Sequence, residues 1–209
     1  MPIFQIPSVY LPTPEIFYQR QIRPGEVTRY SVESEWSSPN GHAKYSYEMR
    51  LENEKAGPEK LQRIVVARLE NLRAQMDDQV VSRRLFGVIP FELGPSGPPQ
   101  KLNGGGALNT YVYPLLAFIL PSSPPGPEGT FELASYMVEG VGALKVTGCV
   151  IGFRPEGMEL AEQVVFGGGN SAPVMTVHSW YRVGRGQLLR AEGTYAEMSG
   201  TLSFRIKKL

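Results

Sequence analysis

Residues 44–55, with the sequence KYSYEMRLENEK, alternate polar and apolar side chains from Lys44 to Glu52. Successive residues of a β-strand point to opposite faces, so the apolar side chains of this stretch share one face. They are Tyr45, Tyr47, Met49 and Leu51. The lysine, serine, glutamate and arginine residues between them share the other face. The pattern predicts a strand with one buried face and one solvent face.

The same alternation, interrupted by turn residues, continues on both sides of this strand. Upstream, Val27 to Trp36 alternates, and residues 37–41 between the two strands include Asn40-Gly41, the pair preferred where turn residues need positive φ. The other predicted strands are Thr130 to Val138, Ala143 to Phe153, Glu159 to Phe166, Pro173 to Val183, Leu188 to Tyr195 and Thr201 to Lys208. We therefore predict a mainly β fold, a large curved antiparallel sheet or half-open β-barrel with roughly eight to eleven strands.

Residues 58–76 fit two kinds of secondary structure. Pro58 suits the first turn of a helix, and the apolar residues that follow have helical spacing. These residues are Leu61, Ile64, Val65, Leu69, Leu72 and Met76. The face formed by Val65, Ala67 and Leu69, reached through a plausible hairpin connection at 56–58, instead fits a strand. The residues alone leave a helix around 58–76 and a strand equally open.

Two segments outside the strands define the predicted domain organisation. Residues 1–16 contain four prolines and are predicted to form an extended arm. Residues 17–209 are predicted to form a single β domain of two halves, split by a long loop at 94–109. The arm carries more apolar side chains than a free tail needs, so we expect it to bind partner proteins. The residues expected to do so are Phe4, Ile6, Val9, Tyr10 and Leu11.

Composition excludes several classes of function. The net charge of +1 gives no electrostatic attraction for nucleic acid or an anionic membrane. One cysteine and two histidines are too few for a disulfide or a histidine-rich metal site, and no cofactor is expected. The apolar run from Tyr111 to Leu120 is interrupted by Pro114 and is half the roughly 20 residues of a spanning helix. We expect no membrane span.

The N-terminus has neither the basic region nor the continuous apolar region of a secretory leader. As written, the sequence predicts a cytoplasmic protein. If a leader was removed, the protein is extracytoplasmic.

Few polar residues are arranged for chemistry. Glu159 and Glu162 are candidate paired acids for glycoside hydrolysis, but a spacing of three also fits an exposed turn or strand edge. His178 shares a strand face with Trp180 and lacks a neighbouring nucleophile, and Cys149 lies in an apolar strand where thiols are commonly inert. Neither predicts a catalytic role, so we expect that the protein is not an enzyme.

Three further features have simple structural interpretations. Asp77 and Asp78 are adjacent in a predicted turn, and two Gly-Gly-Gly runs, at 104–106 and 167–169, lack the Lys-Ser/Thr of a phosphate-binding loop. The C-terminal half also carries a basic cluster: Arg182, Arg185, Arg190, Arg205, Lys207 and Lys208. Neighbouring strands would bring these side chains together, either to face an anionic partner or to form a solvated edge that discourages aggregation.

Four stretches resemble bacterial exported β-sheet proteins of uncharacterised function. They are YQRQIRPGEVTRYSV at 18–32, the long strand pair at 49–76, LLAFILP at 115–121 before Gly129-Thr130-Phe131, and GQLLRAEG at 186–193. The sequence departs from these proteins in having no leader and in having Phe131 where tryptophan is typical. The resemblance implies a large curved sheet like those of lipoprotein carriers and half-barrels, favours a strand at 58–76, and supplies no catalytic residues.

Together these observations predict a noncatalytic protein that acts by binding. The first hypothesis is a structural or accessory subunit that contacts protein partners in a larger assembly through the arm and the central loop. The alternative is a carrier of a lipid or another hydrophobic ligand, held on the concave face of the sheet by its apolar side chains.

Overall fold

A computed structural model describes most of the chain. The described residues are 19–21, 23–56, 63–77, 79–102, 109–121, 125–126, 129–138, 142–154, 157–167 and 172–209. Ten strands account for most of them. The strands are β1 (Val27–Ser38), β2 (Gly41–Ala56), β3 (Arg63–Met76), β4 (Gln79–Leu93), β5 (Thr130–Val138), β6 (Gly142–Arg154), β7 (Gly157–Phe166), β8 (Val174–Arg182), β9 (Gln187–Glu197) and β10 (Gly200–Lys208).

All ten strands form one antiparallel sheet in the order β4-β3-β2-β1-β10-β9-β8-β7-β6-β5. The sheet is open, and β4 and β5 are its edges. Near its middle the first strand pairs with the last, so that Val32 lies opposite Ile206 and Ser34 opposite Phe204. This arrangement confirms the prediction of a mainly β, curved antiparallel sheet.

Residues 63–76 are strand β3, so a helix in this part of 58–76 is wrong, and residues 57–62 lie outside the described residues. A β-bulge explains the helical spacing. Val65, Ala67 and Leu69 are buried, and beyond the bulge the buried positions become Leu72 and Ala74. The bulge adds one residue to β3 near Asn71, whose φ is 55°. These buried positions are otherwise two apart, but across the bulge Leu69 and Leu72 are three apart, which resembles helical spacing.

The connection between β4 and β5 supplies the helical structure of the described chain. Helix α1 (Asn109–Val112) continues into a 3-10 helix (Tyr113–Ala117) with a proline in its first turn. We call residues 109–121 the interior segment. Its side chains at 115–120 are all almost fully buried, which explains why the sequence is apolar on every side. Neither helical piece has the length or apolar character of a membrane span.

The apolar face of the sheet curves around the interior segment. Tyr111 contacts Phe86 of β4 and Tyr47 of β2, whereas Tyr113 stacks on Tyr195 of β9 at 4.1 Å. These two tyrosines are only two residues apart, yet they reach both halves of the sheet. The curved sheet and the interior segment therefore share one hydrophobic core, and the second face of the sheet is polar.

Candidate functional site

A wide groove of about 1340 Å³ crosses the polar face of the sheet. Two adjacent rows of cross-strand neighbours line it, one through Glu33, Arg205 and His178 and the other through Ser203 and Thr176. Both rows run across nine strands, and the side chains are mostly hydroxyl, amide or charged groups.

The charges of this groove are largely matched by neighbours on the same face. Glu132 forms an ion pair with Lys145 at 2.9 Å, and Glu192 forms one with Arg205 at 3.8 Å. Glu35 contacts His42 at 2.6 Å, and this hydrogen bond is the main reason that the pKa of the Glu35 carboxyl is lowered. A surface lined by hydroxyl groups and matched charges is poorly suited to a hydrophobic ligand, because burying these groups without replacing their hydrogen bonds is costly.

A smaller cavity of about 280 Å³ opens on the apolar side, between the sheet and the interior segment. Its floor is apolar. Strands β1, β2, β3 and β4, the interior segment and strand β9 each contribute one apolar residue to it. The apolar residues are Tyr30, Leu51, Val65, Leu93, Phe118 and Leu188. Tyr30 and Phe118 meet edge to face at 5.3 Å, and the Tyr30 hydroxyl donates to the Leu188 carbonyl.

The rim of this cavity is polar and basic. Arg23 and Arg185 line it and are exposed, and Gln187 donates to Thr28 across the rim. Lys208 donates to Gln187 at 2.8 Å. The pKa of Lys208 is lowered by burial first and then by the positive charges of Arg182 and Arg185. The rim therefore carries more positive charge than its neighbours neutralise.

Arg20 anchors the interior segment next to this cavity. Its guanidinium is buried and donates to the carbonyls of Gly94 at 3.0 Å, Gly97 at 2.7 Å and Phe118 at 2.6 Å. Burial lowers the pKa of Arg20 and is the largest influence on it. Because one planar fork satisfies three carbonyls, Arg20 joins residues 94–97 and the interior segment to the start of the β domain.

Glu162 is buried on the apolar face of β7. Ser179 of β8 donates to its Oε2 at 3.2 Å, while Oε1 has no hydrogen-bond partner among the described residues. Burial raises the pKa of Glu162 to about 8, against the weaker opposing effects of Ser179 and Arg20. At neutral pH the protonated carboxylic acid therefore predominates.

The predicted paired acids do not face each other. Glu159 lies on the polar side of β7, where its carboxylate is 2.8 Å from His178 Nε2, whereas Glu162 points to the opposite face. His178 packs against Trp180, and the guanidinium of Arg190 covers the Trp180 ring at 4.0 Å. The structure thus joins Glu159 to His178 and separates Glu162 from both, which does not give the two-carboxylate geometry of a glycosidase.

Other candidates named from the sequence are placed as follows. Cys149 is half-buried on the polar face, and burial raises the pKa of its thiol, so it lacks the features of a reactive cysteine. Asp77 is in the β3–β4 turn with φ of 48°. In the described parts of the chain, no three histidine, cysteine or acidic side chains converge on a metal position. Several candidates lie outside the described residues: Phe4, Ile6, Val9, Tyr10, Leu11, Asp78 and the glycine run at 104–106.

The apolar cavity was not predicted from the sequence. Arg20 and Arg23 sit in the stretch 18–32, which carried the resemblance but no site prediction, and Phe118 sits in an apolar run whose position in the fold was unknown. The basic cluster was the available signal, since Arg185 lines the rim and Arg182 and Lys208 lie beside it.

Comparison with known proteins gives a likeness of fold without a family. No protein-family model matches the chain, and no curated protein matches its sequence. A lipovitellin chain, solved in a study of lipid–protein interactions, is similar with a TM-score of 0.51 and 15% identity. The match covers 90% of this chain but 25% of the lipovitellin chain. The predicted likeness to a large curved sheet is therefore confirmed at the level of fold.

A second solved structure is a domain from Vibrio parahaemolyticus assigned to outer membrane lipoprotein sorting. The match covers 89% of this chain and 84% of the Vibrio chain, with 10% identity and a TM-score of 0.28. A TM-score this low carries no argument about function.

Proposed function

We propose that this protein binds a hydrophobic ligand inside its curved sheet, without chemical turnover. The observation that carries the proposal is the cavity of about 280 Å³ between the sheet and the interior segment. Its apolar floor opens at a polar rim, which is the usual composition of a small-molecule site, although its volume is slightly below the range of roughly 300–1,000 Å³. The lipovitellin chain has a similar fold and was solved in a study of lipid–protein interactions, which supports a hydrophobic ligand.

The groove on the polar face does not compete for this ligand. It is larger, but its lining is rich in hydroxyl and charged groups that an apolar molecule would desolvate without replacing their hydrogen bonds. Burial of apolar surface is the main driving force for binding a hydrophobic molecule. The smaller cavity offers a continuous apolar floor, whereas the apolar groups of the larger groove lie among hydroxyl and charged side chains.

The test is binding of the neutral apolar fluorophore N-phenyl-1-naphthylamine to two matched valine variants. Val65→Phe fills the cavity floor, whereas Val88→Phe adds the same ring at a position 43% exposed on β4. We expect wild type and Val88→Phe to bind the probe alike and Val65→Phe to lose at least about tenfold in affinity, because roughly 1.4 kcal/mol of burial is removed.

Overpacking costs about 1–3 kcal/mol, so the folding of Val65→Phe is checked by circular dichroism. If Val65→Phe does not fold, Leu51→Phe, on the same floor, replaces it. Equal binding by wild type and a folded cavity-filling variant, or no binding by wild type, would refute the proposal. Native mass spectrometry of gently purified protein should also show a bound lipid.

Partner binding in an assembly is a second candidate, favoured by the exposed edge of the sheet. Strand β4 is an edge of the sheet whose outer side is bridged at Glu92 by Gln100, and its residues 79–85 are exposed on both faces. Val80 and Leu85 are each 56% exposed there. An unpaired strand edge with exposed apolar side chains is a template for adding a strand from another chain. Such a role fits an accessory subunit.

A further inference from the structure

We infer that the ligand of the apolar cavity is an anionic amphiphile, whose negatively charged head is bound by Arg23 and Arg185 at the rim. This inference rests on the proposed function, because it names the chemical class of the molecule that the cavity would hold. It depends on a separate observation, the charge at the rim, while the proposed function depends on the apolar floor.

The lining residues divide into an apolar end and a cationic end. The apolar side chains form the floor, the exposed Arg23 and Arg185 lie at the rim, and the buried Arg20 lines the cavity beside the interior segment. Glu26 is the only carboxylate among the described lining residues, and its Oε2 accepts a hydrogen bond from the Arg23 backbone at 3.4 Å. Two exposed arginines against one glutamate leave the opening positive.

Arg23 and Arg185 are the rim cations available to a ligand. Within the described part of the chain, no ion pair joins either guanidinium to a carboxylate. Arg20 differs, because its guanidinium is buried and already donates to three carbonyls. Guanidinium groups bind carboxylate and phosphate oxygens in paired hydrogen bonds, so two exposed arginines over an apolar floor match an anionic head with an apolar tail.

The surroundings increase the positive potential at the rim. Lys208 donates to Gln187, a lining residue, and the positive charges of Arg182 and Arg185 help to lower its pKa. The turn that carries Arg185 is also held in place: the Arg185 carbonyl accepts from the Gln21 backbone at 3.0 Å. A Cβ at Gly186 would approach the backbone of Gln19 and Arg20 to within 2.7–2.8 Å. The two rim segments are therefore packed against each other.

The test compares decanoate with 1-decanol, which share a ten-carbon chain and differ in the charge of the head group. We expect decanoate to bind the wild-type protein at least about tenfold more tightly than 1-decanol in isothermal titration calorimetry, because a hydrogen bond to a charged group contributes roughly 1.5–3 kcal/mol. The preference should fall to within about twofold in the Arg23→Gln/Arg185→Gln variant.

The control is Lys44→Gln/Lys145→Gln, which removes the same two charges from the polar face of the sheet. It should keep the wild-type preference, and the preference should weaken as salt is added. Equal binding of both molecules by wild type would overturn the anionic assignment and leave the proposed function standing. Failure of both to bind would overturn the proposed function as well. A decanoate preference that survives in the Arg23→Gln/Arg185→Gln variant would overturn the assignment to these arginines.

Discussion

At the scale of single residues, Glu162 makes the stability of the fold depend on pH. Its pKa is about 8 in the folded protein, against an ordinary value of 4.5, because the carboxyl is buried. Between these two pH values the unfolded chain has released this proton and the folded chain holds it. The folded state therefore binds more protons, and this group lowers the free energy of unfolding as the pH rises.

Glu162→Gln removes this dependence, because an amide has nearly the same shape, still accepts from Ser179 and does not titrate. The free energy of unfolding of the variant minus that of wild type should rise between pH 5 and pH 8, by on the order of 1 kcal/mol per pH unit. Urea denaturation of both proteins at each pH measures it. All other groups cancel in the difference, so two parallel pH profiles would contradict the prediction.

The roles of individual residues were harder to predict than their faces. Alternation correctly placed Met175, Val177, Ser179 and Tyr181 on the face opposite His178. It did not show that Glu159 pairs with His178, because that contact depends on the register of β7 with β8, which places Ala161 opposite His178. Local sequence determines which side a residue faces, whereas partners across strands depend on register.

At the scale of elements, the predicted strands lie within a few residues of the observed ones, but two elements, β4 and the interior segment, were not predicted. Thr130 to Val138 is β5 with the same bounds, and the Asn40-Gly41 turn joins β1 to β2 as expected. The run Val112 to Leu120 carries no alternation, since it is enclosed on all sides. Periodicity reports a difference between two faces, so it cannot locate an element that has no exposed face.

The charges of β4 lead to a prediction at this scale. Arg83 and Arg84 lie near the middle of the exposed part of this edge strand. Two copies of β4 paired antiparallel about this point would place Arg83 of one copy opposite Arg84 of the other. Like charges directly opposite each other destabilise a strand pair, so these arginines should oppose self-association and leave the edge to a partner of different charge.

Arg83→Thr/Arg84→Thr should therefore form dimers or larger species at concentrations where the wild type is monomeric. Sedimentation velocity across a concentration series measures the difference. The control variant, Arg29→Thr/Lys207→Thr, removes the same charge from exposed positions on β1 and β10, which are paired on both sides. It should stay monomeric. A monomeric edge variant would show that the arginines do not protect this edge.

At the scale of the whole molecule, the chain closes on itself through its first and last strands. The N-terminal half forms β1 to β4 and the C-terminal half forms β5 to β10, and the two halves meet where β1 pairs with β10. No local pattern predicted this pairing, because it joins Tyr30 to Lys208 across most of the sequence. The interior segment strengthens the connection, since Tyr111 packs on β2 and β4 while Tyr113 packs on β7 and β9.

This shared core predicts that both halves unfold in one cooperative transition. The two tryptophans report on them separately: Trp36 packs against the core from β1, and Trp180 lies on β8 beneath Arg190. Trp36→Phe keeps only Trp180, and Trp180→Phe keeps only Trp36. In each variant, the unfolding midpoint from tryptophan fluorescence should match the midpoint from far-ultraviolet circular dichroism of the same protein.

Phe204→Ala tests whether the seam between β1 and β10 carries this cooperativity. Phe204 is buried on β10, opposite Ser34, and its ring lies directly over Gly193 of β9. Its loss should lower the free energy of unfolding by about 3–5 kcal/mol, and by the same amount in both single-tryptophan backgrounds. Thr201→Ala, at an exposed site on the same strand, should change it by less than about 0.5 kcal/mol. If Phe204→Ala moved the transition of one tryptophan only, the halves would fold as separate units.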